Sequence, residues 1–272
     1  MGSSGGPSSV RAVKVEAASV STDSGYALTM LRGWRLTCNG CSVQVGKPAQ
    51  RLIALIALAG THEPCYLSGT LWPDSSERQA QANLRSTLSR LQCSGIPVVH
   101  RDHGLLALDD GLSVDVHRLR RCAELVMREP TVAPPAEVLT VLVRAGDLLA
   151  GWYDDWVLTW RERLRAVRVH ALESAAFRLA QAGRFAEAVD AALLSVNTEP
   201  LRESAHRALM EVHIQEGNTL AAVRQFYRYR ELLRHELGVE PSLEMKQLLP
   251  TFHPPVGTID LAAARSGRRP GR

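Results

Sequence analysis

The stretch ERQAQANLRSTLSRLQ, residues 77–92, decides how this chain is read. Within it Ala80, Leu84, Thr87, Leu88 and Leu91 recur at spacings of four, three, one and three, which is one stripe of an amphipathic helix. At about 100° per residue the opposite face carries Arg78, Ala82, Arg85, Ser86 and Ser89, with Gln79, Asn83 and Arg90 on its flanks. No acid follows Glu77 on that helix. Guanidinium forks and short amides can read base edges, and a face without carboxylates can approach phosphate. An ordinary solvated helix carries the same residue types, so the neighbouring segments decide between the two readings.

Working outward, residues 48–60 form an apolar helix opened by Pro48 and ended by Gly60. Residues 68–73 read as a short second helix, with Ser68 as its expected N-cap and Pro73 as its stop. Ser76 is the expected N-cap of the third helix, with Gln79 as a capping-box partner. Two short β-like runs then span 96–108 around Asp102, His103 and Gly104, where Arg101 and His103 are candidates to touch the DNA backbone or minor groove. Helix, short helix, helix, hairpin is the order of a winged helix-turn-helix. Before it, residues 26–31, 34–37 and 42–45 are β-type runs, and Asn39-Gly40 is a strong hairpin signal, so a small antiparallel sheet is expected. Trp72 is expected in the core. Cys38-Asn39-Gly40-Cys41 spells C-x-x-C, but no second pair at metal spacing follows and the Asn-Gly turn explains the spacing, so no metal and no cofactor is expected.

With 272 residues the chain is long for one domain, and two are expected. The longest apolar run, 52–59, is far short of the ~20 residues a membrane span needs, and no export signal opens the chain, so a cytoplasmic, nucleoid-associated protein is expected. Five scattered cysteines suit a reducing compartment. The net charge of +4 is weak evidence for a nucleic-acid partner; positions 78–103 are more telling, with four arginines against the single acid Asp102.

From Asp115 onward the pattern is all-helical, with helical spacing over 116–128, 135–149 and 153–182. Gly183-Arg184-Phe185-Ala186-Glu187-Ala188 is echoed by Gly217-Asn218-Thr219-Leu220-Ala221-Ala222, and 217 − 183 = 34, the tetratricopeptide period. Trp152, Trp156 and Trp160 fall at i, i+4, i+8, a core stripe on one expected helix. The expected organisation is therefore a leader over 1–25, a winged helix-turn-helix over 26–114, a helical repeat domain over 115–250, and a disordered basic tail over 251–272 holding Arg265, Arg268, Arg269 and Arg272. The fold class is mainly α with small antiparallel β elements. No nucleophile elbow, zinc-protease motif or two-Cys/two-His set is present, which argues against an enzyme.

Over residues 26–250 the chain resembles the SARP family of actinobacterial antibiotic-regulatory activators, in which an OmpR/PhoB-type winged helix precedes a helical bacterial transcriptional activation domain. The resemblance is carried by Lys47-Pro48-Ala49-Gln50-Arg51, Leu71-Trp72-Pro73-Asp74, Ala80, Leu84, Ser89-Arg90-Leu91 and Val114-Asp115. It continues through Gly146-Asp147-Leu148-Leu149, Glu162-Arg163-Leu164, both glycine units and Glu236-Leu237-Gly238-Val239-Glu240-Pro241. It implies double-stranded promoter DNA as partner, a homodimer side by side on direct repeats, recruitment of RNA polymerase through its sigma and other subunits, and control of antibiotic biosynthetic genes. Arg85, Ser86, Ser89 and Arg90 would face the groove with Asn83 and Gln79 beside them, and Arg78 and Arg101 would hold phosphates. A rival reading is a helical-repeat adaptor whose winged domain contacts protein.

Overall fold

The computed structural model describes residues 25–128 and 131–249. The leader and the basic tail expected from the sequence lie outside them, apart from Gly25. The first elements are β1 (Tyr26–Thr29), β2 (Arg35–Cys38), β3 (Cys41–Ser42), α1 (Lys47–Ala59), α2 (Pro64–Leu71), α3 (Glu77–Cys93), β4 (Val99–Asp102), β5 (Leu105–Leu108) and β6 (Ser113–Val114). Next come α4 (Asp115–Arg128), α5 (Ala136–Arg144), α6 (Asp155–Gln181), α7 (Phe185–Thr198), α8 (Glu203–Gln215), α9 (Thr219–Leu237) and the short α10 (Leu243–Gln247). They divide into two compact units. One comprises the described residues up to Arg118 with Gly146–Arg161, the other Leu119–Ala145 with the described residues from Glu162 on.

In the first unit Asn39 and Gly40, both at positive φ (48° and 80°), turn β2 into β3. The sheet order is β3-β2-β1-β6, antiparallel except that β6 runs parallel to β1. That last strand has two residues, too few for any alternation to announce it in the sequence. α1 is buried nearly all round, from Leu52 to Leu58. Leu52, Leu55, Ile56, Leu67, Leu71, Leu84 and Leu106 form the core of the helical part, with Trp72, Leu88, Val99 and Trp156 packed on it. Deleting such a Leu side chain costs roughly 2–5 kcal/mol.

Three local expectations change. α2 begins at Pro64, four residues before Ser68, because a proline suits a first helical turn; Ser68 is buried within the helix and donates to the Cys65 carbonyl at 3.0 Å. The helix over 135–149 ends at Arg144, since 147–149 extends alongside β1's end: Arg32 N donates to Asp147 O and Leu149 N to Met30 O, both at 2.7 Å. Trp152 precedes α6 instead of sharing its stripe; it stacks on Trp34 at 6.0 Å, meets Trp156 edge-on at 6.5 Å, and carries the Lys47 ammonium 3.3 Å above its ring. Asp154 beside it pairs with Arg51 at 2.5 Å. Asp115 anchors the end of β1, its carboxylate accepting from Met30 N and Leu31 N at 2.9–3.0 Å.

Two helix endings in the second unit repeat each other bond for bond. At the end of α6, Gly183 N donates to Ala180 O and Arg184 N to Leu179 O; at the end of α8, Gly217 N donates to Ile214 O and Asn218 N to His213 O. Each pair is the same two-bond helix ending, with its glycine at φ 74° or 82°, and every participant is displaced by 34 residues. Ala188 and Ala222, again 34 apart, are fully buried and let the paired helices approach. Inside this unit His206 stacks on Tyr229 at 4.1 Å, and Arg178, also buried, donates to the Val126 carbonyl.

Candidate nucleic-acid interface

α3 is held from one side and open on the other. Ala80, Leu84, Thr87 and Leu91 are buried, while Thr87 donates its hydroxyl to the Asn83 carbonyl at 2.8 Å. Ser76 caps the helix, accepting from Gln79 N at 3.4 Å. The Gln79 amide nitrogen donates to Asn83 Oδ1 at 3.1 Å, one turn on, in place of the capping-box role expected of that side chain. On the open face Arg78, Gln79, Arg85, Ser86, Ser89 and Arg90 are exposed and Asn83 is half-buried. Glu77, the one acid of the helix, accepts from Gln81 at 3.1 Å.

The hairpin of β4 and β5 turns at His103 and Gly104, both at positive φ (46° and 88°), with Asp102 and Leu105 paired across the turn. Backbone bonds between His62 and Leu106 (3.2 and 2.9 Å) tie it to the loop between α1 and α2, and Leu106 sits in the core. The guanidinium of Arg101 and the imidazole of His103 are thus displayed from a strand pair fixed to the helices. His103 Nδ1 lies 2.6 Å from Asp102 Oδ1, with both side chains exposed.

Arg85, Arg101 and His103 line one shallow cleft between α3 and the hairpin, and Arg85, Ser89 and Arg101 line its continuation with His100. Arg90 does not join them: it lines a different cleft with Gln44, Gly46, Cys93 and Ser94 at the C-terminal end of α3. Arg78 and Gln79 stand at the N-terminal end of the helix, and Asn83 is occupied by its bond to Gln79. His100 was missed in the sequence, although an imidazole directly before Arg101 on a hairpin strand was visible there. Arg85 and Arg101, the guanidinium groups of this cleft, can donate but not accept, which suits a polyanion, although Glu63 lines the cleft and Asp102 lies beside His103. Among the described residues no cluster of His, Cys, Asp and Glu could hold a metal ion, and no helix is long and apolar enough to cross a membrane.

A winged helix followed by stacked helix pairs is the architecture of a transcription regulator. Residues 114–250, just over half of the chain, match the bacterial transcriptional activator domain. The chain therefore belongs to that family, and its relatives place it close to the SARP-type regulators. The regulatory protein AfsR of Streptomyces coelicolor is 28% identical over 251 residues, which cover 87% of this chain and 25% of that protein. AfsR of Streptomyces griseus is 25% identical over 228 residues, 80% of this chain and 23% of that one. This chain thus spans about a quarter of the length of the curated relatives it matches. The structure of Mycobacterium tuberculosis EmbR in complex with a low-affinity phosphopeptide has a TM-score of 0.65 to this one, covering 82% of this chain and 64% of that chain at 18% identity, a likeness of fold.

Proposed function

We propose that this activator binds double-stranded promoter DNA in a sequence-specific way, with α3 in the major groove and the β4–β5 hairpin against the adjoining backbone. Arg85 and Ser89 read base edges at the centre of the contact, Ser86 and Asn83 lie beside them, and Arg78, Gln79, Arg90, Arg101 and His103 hold the flanking phosphates. Two protomers occupy direct repeats side by side, and the helical domain contacts RNA polymerase, sigma subunit included, at genes for secondary-metabolite biosynthesis. The observation that carries this reading is the exposed, acid-free face of α3 sharing a cleft with Arg101 and His103 of the hairpin.

Footprinting on the promoters nearest the protein's own gene supplies the site, and mobility shifts with variants test the assignment. Arg85→Ala loses roughly 1–3 kcal/mol at the specific site, a fall of about 5- to 150-fold, and relaxes preference at one base position. Arg101→Ala weakens specific and non-specific DNA alike. Wild-type affinity in Arg85→Ala removes that residue from the interface. A chain that binds no DNA at low salt, with its fold intact, leaves the adaptor reading in its place.

A further inference from the structure

The strand register brings together two thiols that the activator function does not use. β2 and β3 pair Cys38 directly with Cys41 across the Asn39-Gly40 turn, so both side chains stand on one face of the sheet. β1 adds Tyr26 directly opposite Cys38 on its other side. Both thiols are free; Cys38 is half-buried and Cys41 exposed. Val43 N donates to Leu36 O at 2.9 Å, which makes that pair a hydrogen-bonded one. Two residues nearer the turn, by the alternation of an antiparallel ladder, Cys38 and Cys41 form another, with α-carbons ~5.5 Å apart. A disulfide spans α-carbons about 4.4–6.8 Å apart, so the bond closes without remaking the hairpin. Cross-strand β-carbons at such a pair stand near the upper end of ~4.5–5.5 Å, somewhat more than a relaxed disulfide has. The pinch this requires, with the exposure of Cys41, makes the closed form easily reduced.

We propose that Cys38 and Cys41 form a reversible dithiol–disulfide site that exchanges with low-molecular-weight disulfides. The exposed Cys41, as thiolate, attacks one sulfur of a small disulfide RSSR, forming a Cys41–S–S–R mixed disulfide and expelling RS⁻. Cys38, as thiolate, then attacks the Cys41 sulfur, forming the Cys38–Cys41 bond and expelling the second RS⁻. The two protons shed by the cysteines go to the two departing thiolates; two protein thiols are oxidised and one small disulfide is reduced. Closure pins the two-residue strand β3, which leads through residues 43–46 into the start of α1. The site stands on the strand register alone and is independent of how the protein contacts DNA.

The full chain is equilibrated with mixtures of oxidised and reduced glutathione, quenched in acid, and its remaining thiols alkylated with N-ethylmaleimide before peptide mass analysis. The first disulfide to form joins Cys38 to Cys41, while Cys65, Cys93 and Cys122 stay alkylated, and added reduced glutathione reopens it. In Cys38→Ser the second attack is lost, so Cys41 accumulates as a stable glutathione adduct. Finding Cys38 and Cys41 alkylated, separately glutathionylated, or bonded to other cysteines when the first disulfide appears overturns the proposal. So does a Cys38→Ser variant in which Cys41 takes up no glutathione while Cys65 or Cys93 does.

Discussion

If the protein binds promoter DNA as proposed, raising the salt from about 0.1 to 0.2 M is expected to weaken the binding of one protomer to its specific site roughly twelvefold. The figure follows from the surface. Arg78, Arg85 and Arg90 on α3 and Arg101 on the hairpin are exposed, and no ion pair among the described residues engages them. If each neutralises one phosphate, the slope of log K against log salt is about −0.9 per contact, hence about −3.6 for four, and a doubling of salt moves log K by about −1.1. Two protomers on adjacent repeats double the slope, and the same change then costs about 150-fold. Fluorescence anisotropy of a labelled operator, titrated at five or six salt concentrations, measures this directly. Arg101→Ala is expected to shallow the slope by about 0.9 per protomer, and Arg85→Ala by less than its loss of affinity suggests, because part of that loss is a base contact. A specific complex whose affinity is flat with salt, or a slope unchanged in Arg101→Ala, would refute the reasoning, since binding would then owe nothing to these guanidinium groups.

Three further outcomes concern the fold that presents them. Asp115→Ala strands the Met30 and Leu31 N–H groups and is expected to lower the stability of the first unit by about 2–4 kcal/mol in urea titrations. Burial already raises the Asp115 carboxyl pKa above its ordinary value, so Asp115→Asn, which keeps an acceptor oxygen without the charge, loses under about 1 kcal/mol; equal losses in both variants would show that the charge itself matters. Gly217→Ala places a β-carbon at φ 82° in open space, so only backbone strain opposes it; a loss of about 1–2 kcal/mol is expected by thermal melting, and none would contradict the left-handed helix ending. His206 accepts at Nδ1 from Gln225 (2.7 Å) and so donates from Nε2 to the Pro200 carbonyl (2.8 Å), a neutral ring whose pKa burial lowers. The unfolded chain takes up that proton near pH 6.5 while the native state does not, so this contribution to stability is present above about 6.5 and shrinks as pH falls below it. Urea midpoints at pH 7.5 and 5.5 should differ less in His206→Gln than in the wild type, and identical differences would remove His206 from the effect.

The winged helix was legible because its signals are local. The stripe Ala80, Leu84, Thr87, Leu91 needs only the helix period, Asn39-Gly40 and His103-Gly104 turn where positive φ is tolerated, and the 34-residue echo of Gly183 in Gly217 needs only comparison of the chain with itself. Pairings across long stretches were not legible. Ser113–Val114 joins β1 as a parallel strand with no pattern of its own, and Leu148 lies across from Leu31 through the flanking bonds Arg32 N to Asp147 O and Leu149 N to Met30 O. Ser68 misled because a helix-favouring cap and a buried, back-bonded serine look alike until Pro64 is credited with opening the turn. Within the candidate interface, residue exposure followed from helix periodicity. The separation of Arg90 from the Arg85–Arg101 cleft did not, since it depends on where the hairpin packs along α3.

The return of Gly146–Arg161 to the first unit sets the terms for taking the protein apart. A fragment ended at residue 114 by analogy with a two-domain plan would lose the Asp115 acceptor, the Asp154 partner of Arg51, and the indole under Lys47 in a single cut. The first unit is discontinuous in the chain, so no single cut frees it from the second unit's residues 119–145. It needs residues 146–161 grafted back through a short linker in place of the excursion at 119–145, and proteolysis at one point in that excursion would nick the unit without releasing it.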